Sequence, residues 1–300
     1  MCTPPHDLVV TTERLVVLAG GMSSRMRNSA VVEGDAQSEL YHQAIERTKG
    51  MIGLGAEGRP FLDYLLFNAR AAGLRDLTIV IGERDQSTRS RYGENERDNE
   101  FHGLRISYAI QRIPGGRSKP PGTADALLVA LHHRPEWRGT SFLVCNSDNL
   151  YSVQAFQLLA SFNGPGAMID YNRENLEFTE ERIAQFGVTR KDENGYVIEL
   201  AEKPGQDALT TFRGTDGTLR VSMNIFRLHY DTVVPFLEQC PVDPVRGEKE
   251  LPVALNLMVR SNPDALKAIP LGEHVPDLTF KEDIHAMQEF LKNTRMKLDW

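Results

Sequence analysis

The chain of 300 residues is 41% hydrophobic, 25% charged and 8% aromatic, with 34 Lys+Arg against 41 Asp+Glu and a net charge of −7. These proportions exclude wholesale disorder, a collagen-like repeat and a coiled coil. The acidic balance argues against broad nucleic-acid or membrane binding, yet a small anionic ligand needs only a few local cations or a metal ion.

Cys2, Cys145 and Cys240 are too scattered for a disulfide framework or a structural zinc site. Met1 to Asp7 lacks the basic and apolar regions of a signal peptide, and no apolar run approaches the roughly 20 residues of a membrane span. A reducing cytoplasm is the expected compartment. No linker, repeat or low-complexity tract divides the chain, so residues 1–300 read as one domain.

Leu15 to Ala19 are all Leu, Val or Ala, which predicts a strand buried on both faces and stopped by Gly20 and Gly21. Residues 27–48 are polar, with a helical pattern at Ala36, Leu40, Ala44 and Ile45, and read as a mobile or helical insertion. A helix is predicted after Arg59-Pro60 from Phe61, Leu62, Leu65, Leu66, Ala69 and Ala72, closed by Gly73. Leu77 to Gly82 is a second buried strand. Residues 83–100 are polar and predict a surface loop or solvated helix. Leu104, Ile106, Tyr108 and Ile110 alternate as a strand reaching Gln111. A Gly- and Pro-rich segment runs from Ile113 to Gly122, after which Thr123 is the expected cap of a helix over Ala124–His132. Ser141 to Asp148 is another buried strand with a polar end. In the second half, Asp192-Glu-Asn-Gly195 predicts a hairpin. Leu219 to Leu228 predicts a strand, and residues 248–260 and 280–293 predict helices.

Strands alternating with helices imply the α/β class: a mostly parallel central sheet flanked by helices, with a mixed C-terminal part. Polar residues at the strand ends fall on the carboxyl edge of that sheet, where ligands bind in open α/β folds.

Leu18, Ala19, Gly20, Gly21, Met22, Ser23, Ser24 and Arg25 follow the first strand directly. Consecutive glycines let backbone N–H groups close around a phosphate, two serines add hydroxyl donors, and arginine supplies a planar charged fork. Neither the P-loop spacing nor the G-x-G-x-x-G fingerprint is present. On the glycines alone, a tight turn beside a surface arginine explains the loop equally well. Asp125 likewise reads as a solvated first-turn helix acid, and Cys145 as a small core residue.

Further motifs follow in order: Lys49 before Gly50-Met51, Pro60 to Tyr64, Gln111, Gly122-Thr-Ala-Asp-Ala-Leu127, Asn146-Ser-Asp148-Asn and Glu202-Lys203-Pro204. With Leu18 to Met26, they give a sequence that resembles the sugar-1-phosphate nucleotidyltransferase family, from about residue 13 to 285. Ser23 stands where that family usually has glycine. The resemblance implies a Rossmann-like nucleotidyltransferase fold, with a nucleotide-binding half over about 13–150 and an acceptor-binding half over about 151–285. It also implies roles for residues. The loop from Leu18 to Ser24, with Gln111, Gly122, Thr123 and Asp125, would bind the nucleotide. Arg25, Lys49 and Lys203 would act on the phosphates as the catalytic cations. Glu202, Lys203 and Asn224 would bind the sugar phosphate. Asp148 and Asp277 would hold Mg²⁺, with Asp283 as the fallback for the second carboxylate.

The activity implied is Mg²⁺-dependent condensation of a nucleoside triphosphate with a sugar 1-phosphate, giving a nucleotide sugar and pyrophosphate. The implied partners are these small molecules and further copies of the chain, with no nucleic acid and no membrane. Some family members carry a C-terminal β-helix; none is expected here, so a single activity is the simpler expectation. Three other readings stand beside it. One is a cytidylyltransferase acting on a phosphorylated alcohol such as phosphocholine. Another is a glycosyltransferase of the GT-A type, to whose metal-binding D-x-D Ser147-Asp-Asn149 is a loose match. The last is a non-catalytic protein that binds a nucleotide sugar.

Overall fold

Leu15, Val16 and Val17 have no exposed surface, because strand β1 (Arg14–Leu18) is covered on both faces. It lies between β2 (Asp76–Gly82) and β5 (Ser141–Asn146), parallel to both. β4 (Leu104–Gln111) adds in parallel beyond β2, and β3 (Asn99–Phe101) closes that edge antiparallel. On the other side, β9 (Arg220–His229) runs antiparallel to β5. β6 (Ala167–Asn172) pairs antiparallel with β9, and β10 (Lys267–Leu271) lies parallel to β6. The hairpin of β7 (Gly187–Lys191) and β8 (Val197–Ala201) attaches to β9 off this path. The computed structural model describes residues 9–29, 39–202, 204, 209–214, 217–294 and 296–300.

Helices cover both faces of the sheet. Helices α3 (Phe61–Ala71), α6 (Val153–Ala160) and α10 (Asp283–Asn293) pack on one side, where Leu15, Val17, Leu65 and Phe156 share a core. Helices α5 (Thr123–His133), α8 (Tyr230–Glu238) and α9 (Leu251–Ser261) pack on the other, around Val16, Leu127 and Phe226. The expected α/β class and mixed second half are therefore as observed. Four short α-helices, α1 (Ser24–Asn28), α2 (Glu39–Glu46), α4 (Gln86–Tyr92) and α7 (Glu180–Ile183), and short 3-10 turns such as Lys49–Met51 are present as well. Among the described residues, no helix is long and apolar enough to cross a membrane.

Two sequence expectations are not met, and a third, the helical insertion, is met in part. The polar stretch 83–100 is more ordered than its composition suggests. Asp85 caps α4 by accepting from the Thr88 amide at 3.0 Å, Thr88 and Tyr92 are buried, and the stretch ends in β3. Thr123 does not cap α5: Gly122 holds the cap position, and the Thr123 hydroxyl accepts from the Leu251 amide at 2.9 Å instead. The insertion 27–48 carries the end of α1 and all of α2, whose Ala44 is buried and whose Ile45 is exposed, whereas Ala36 lies outside the described residues.

Candidate active site

Strand ends from both halves of the chain surround a cavity of about 750 Å³ at the carboxyl edge of the parallel strands. Every predicted site residue from Leu18 to Arg25 lines it, as do Lys49, Gln111, Gly122, Thr123, Asp148, Glu202, Asn224 and Asp277. Three predicted residues stand apart: neither Asp125 nor the fallback Asp283 lines the cavity, and Lys203 lies outside the described residues.

The glycine loop leaves β1 and turns into α1 at Ser23. This serine adopts φ 55° and ψ 30°, the left-handed region that costs an L-residue about 1–2 kcal/mol. Glycine is free of that cost. Ser23→Gly should therefore raise stability by about 1 kcal/mol, read as a shift in the urea midpoint at constant slope. No gain would mean that Ser23 makes a compensating contact. The end of α1 is tied to the opposite wall. Lys281, only 3% exposed, donates to the carbonyls of Arg27 at 3.2 Å and Ser29 at 2.8 Å. A buried ammonium suits those orphan carbonyls at a helix C-terminus.

The charged centre joins segments far apart in sequence. Lys49 Nζ lies 2.8 Å from Asp148 Oδ2, with the two side chains 10% and 22% exposed. Asp148 follows β5 and lies against the segment carrying Asp277. The Leu278 amide donates to the Asp148 carbonyl at 2.8 Å, and the Leu150 amide to the Pro276 carbonyl at 2.9 Å. Asn149 and Asp277 form an antiparallel bridge. The Asp277 carboxylate accepts from Asn149 Nδ2 at 3.2 Å, from the Thr279 hydroxyl at 2.9 Å and from Arg182. Burial, and then the charge of Asp148, hold its pKa above the ordinary aspartate range. Asp283 has a different task. Its Oδ2 accepts from the amides of Thr279 at 2.7 Å and Phe280 at 2.6 Å, which fixes the loop bearing Asp277.

The wall expected to meet the base is built around Gln111. Its Nε2 donates to the Gly122 carbonyl and to Asp125 Oδ2, both at 2.9 Å. Both amide hydrogens are thus used within the protein, leaving the oxygen as the group a ligand can meet. Asp125 positions Gln111 rather than facing the cavity. Asn224 sits mid-strand in β9 at φ 57°, a left-handed kink that asparagine tolerates better than most residues. Tyr151 pins it by donating to the Met223 carbonyl at 2.6 Å.

A family model described as Nucleotidyl transferase matches residues 38–263. The chain belongs to the nucleotidyltransferase family. This nucleotidyltransferase is 26% identical, over 247 residues, to the small subunit of a chloroplastic/amyloplastic glucose-1-phosphate adenylyltransferase from Triticum aestivum. That alignment covers 77% of this chain and 52% of the wheat protein, so the chain spans about half the length of the curated relative it matches. In fold it is similar to a crystal structure of UDP-glucose pyrophosphorylase complexed with UDP-glucose, at 16% identity and a TM-score of 0.66. That likeness covers 94% of this chain and 99% of the other.

Sequence reasoning missed three cations of this nucleotidyltransferase. Arg182 reaches Asp277 and Asp283, Lys281 anchors α1, and Arg246 lies 3.2 Å from Glu202 and also pairs with Glu250. Except for Glu250, their partners lie far away in sequence, so no local spacing announces them.

Proposed function

We propose that this nucleotidyltransferase joins a nucleoside monophosphate to a sugar 1-phosphate, releasing pyrophosphate with the help of Mg²⁺. The observation that carries the reading is the meeting of the Gly20-Gly21 loop and Arg25 with Lys49, Asp148 and Asp277 around one cavity. The reaction needs no protein nucleophile. A phosphate oxygen of the acceptor attacks the α-phosphorus in line, and pyrophosphate leaves. The chain holds two polyanions against their repulsion, so positioning and charge supply most of the rate. Arg25 and Lys49 face the triphosphate. Gln111 offers its oxygen to the base, and Glu202 and Asn224 face the acceptor; Lys203 is assigned to the acceptor phosphate from its motif alone. The free, buried thiols of Cys145 and Cys240 accord with a reducing cytoplasm.

The donor set fits a hard cation. Asp148 and Asp277 stand on bridged segments; burial, and after it the charge of Asp148, lift the Asp277 pKa, a cost that a divalent ion would relieve. Among the described residues, no group of three or more His, Cys, Asp or Glu side chains is placed to hold a metal ion. Mg²⁺ commonly takes one or two carboxylates and fills its shell with water and phosphate oxygens. Bound there, it would neutralise charge on the reacting phosphates. Proton and cation compete for Asp277, so affinity for Mn²⁺ should fall as the pH is lowered, with the loss beginning above the ordinary aspartate range. Calorimetry at several pH values measures this, and a flat profile would remove Asp277 from the ligand set.

The deciding experiment is pyrophosphate release from a grid of nucleoside triphosphates against sugar 1-phosphates and phosphocholine, with Mg²⁺ present. Release that requires one triphosphate and one sugar 1-phosphate establishes the reading. Release with phosphocholine alone would make the acceptor a phosphorylated alcohol. No release from any pair, despite nucleotide-sugar binding, would favour a binding protein or a glycosyltransferase.

A further inference from the structure

We infer that Arg182 is the resident counter-cation of Asp277, a positioning residue that a divalent ion must displace to load the site. The inference rests on the metal reading proposed above. Arg182 comes from α7, lines the cavity and has a side chain only 13% exposed. Its Nη2 donates to Asp277 and, at 3.0 Å, to Asp283 Oδ2. The guanidinium also lies 4.7 Å from the Phe280 ring centroid and 5.7 Å from that of Phe178.

Three features make this a displaceable cation rather than a simple tie. First, the arrangement repeats: Lys49 holds Asp148 as Arg182 holds Asp277, so each carboxylate carries one side-chain cation. Second, a guanidinium cannot shed its proton in a protein, so it leaves Asp277 only by moving. Third, it has somewhere to stay. Asp283 and the two aromatic faces remain as partners after Asp277 is released, so the movement is a short retraction. Asp283 keeps its own loop amides throughout.

The test titrates Mn²⁺ alone into the full chain and reads free Mn²⁺ by electron paramagnetic resonance. Removing a unit positive charge at this range should tighten binding about tenfold in R182Q. R182K should gain about threefold, because the ammonium keeps the positive charge but sits on a shorter side chain that holds Asp277 less closely. The gain should vanish in the double variant R182Q/D277N. If R182Q binds Mn²⁺ no tighter than the wild type, the inference is overturned. Thermal melting checks that R182Q folds; if it does not, R182K decides alone, and no tightening there overturns the inference equally. Failure of the metal reading has a separate signature. Wild type, D148N and R182Q would then bind Mn²⁺ alike, or not at all, and both ideas would fall together.

Discussion

Gly122→Ala should lower stability by about 3 kcal/mol and raise the KM for the nucleotide in the same variant. Gly122 has φ 114° and ψ −177°, a region essentially confined to glycine. A Cβ there would stand 2.4 Å from the Lys249 carbonyl oxygen and 2.8 Å from its nitrogen, both backbone atoms that cannot swing away. Lys249 belongs to a strap stitched to the cavity wall. Its amide donates to the Pro121 carbonyl at 2.6 Å, and its carbonyl accepts from the Ala124 amide at 2.9 Å. Lys119 pairs with Glu248 at 2.6 Å, and Arg117 donates to the Gly247 carbonyl. Any shift of Gly122 also moves the carbonyl that holds Gln111. Stability and nucleotide affinity should therefore fail together. For a domain of this size, about 3 kcal/mol corresponds to a drop of roughly 6–12 °C in Tm.

Gly116→Ala is the control for that result. Gly116 has φ 82° in the same loop region, but a Cβ there meets nothing within 4 Å. Its cost should be near 1 kcal/mol, with the nucleotide KM unchanged. Calorimetry and steady-state kinetics on the two variants separate backbone strain from the strap. Equal effects in both would show that the Lys249 contact contributes nothing.

The same loop shows how much of the molecule could be read in advance. Glycine, glutamine and the aspartate after β5 sit at strand ends, and strand ends are written in the sequence as apolar runs that stop abruptly. Leu15 to Ala19, Leu77 to Gly82 and Ser141 to Asn146 were legible for that reason, and they place the carboxyl edge. β6, β10, α6 and α8 escaped prediction. β6 and β10 are short and mixed in character, and pairing with β9 or with one another decides their form, whereas α6 (Ala155, Phe156, Leu159, Ala160) and α8 (Tyr230, Val233, Leu237) do bury one face at helical spacing that the sequence reading passed over. Binary patterning reports only faces that are clearly one-sided.

Site residues divide the same way. Gln111, Gly122 and Asp148 belong to local motifs, and each lines the cavity. Arg182 and Lys281 act on partners 95 to 254 positions away. Only folding brings those pairs together. Thr123 shows the opposite failure, since a hydroxyl at a helix start suggests a local cap, yet Leu251 from α9 takes it.

Asp148→Asn should abolish most turnover while leaving the fold in place. The substitution keeps shape and removes charge. Two neighbours feel it: Lys49 loses its partner, and Asp277 loses one of the two influences that raise its pKa. Removing that repulsion offsets the lost ion pair, so Tm should shift by less than roughly 4 °C. With one carboxylate gone, the proposed cation site keeps only Asp277, and kcat should fall on the order of 10³-fold. Nucleotide binding through the glycine loop should persist. Lys49→Met offers the contrast. It removes a phosphate contact and leaves Asp148 free for metal, so the KM for the triphosphate should rise and Mn²⁺ affinity should not fall. Were the Lys49–Asp148 pair merely a structural pin, the two variants would lose stability equally and show the same kinetic defect. Parallel melting curves, Mn²⁺ titrations and pyrophosphate assays on both variants distinguish a metal ligand with its counter-ion from a simple tie between the turn at Lys49 and the segment after β5.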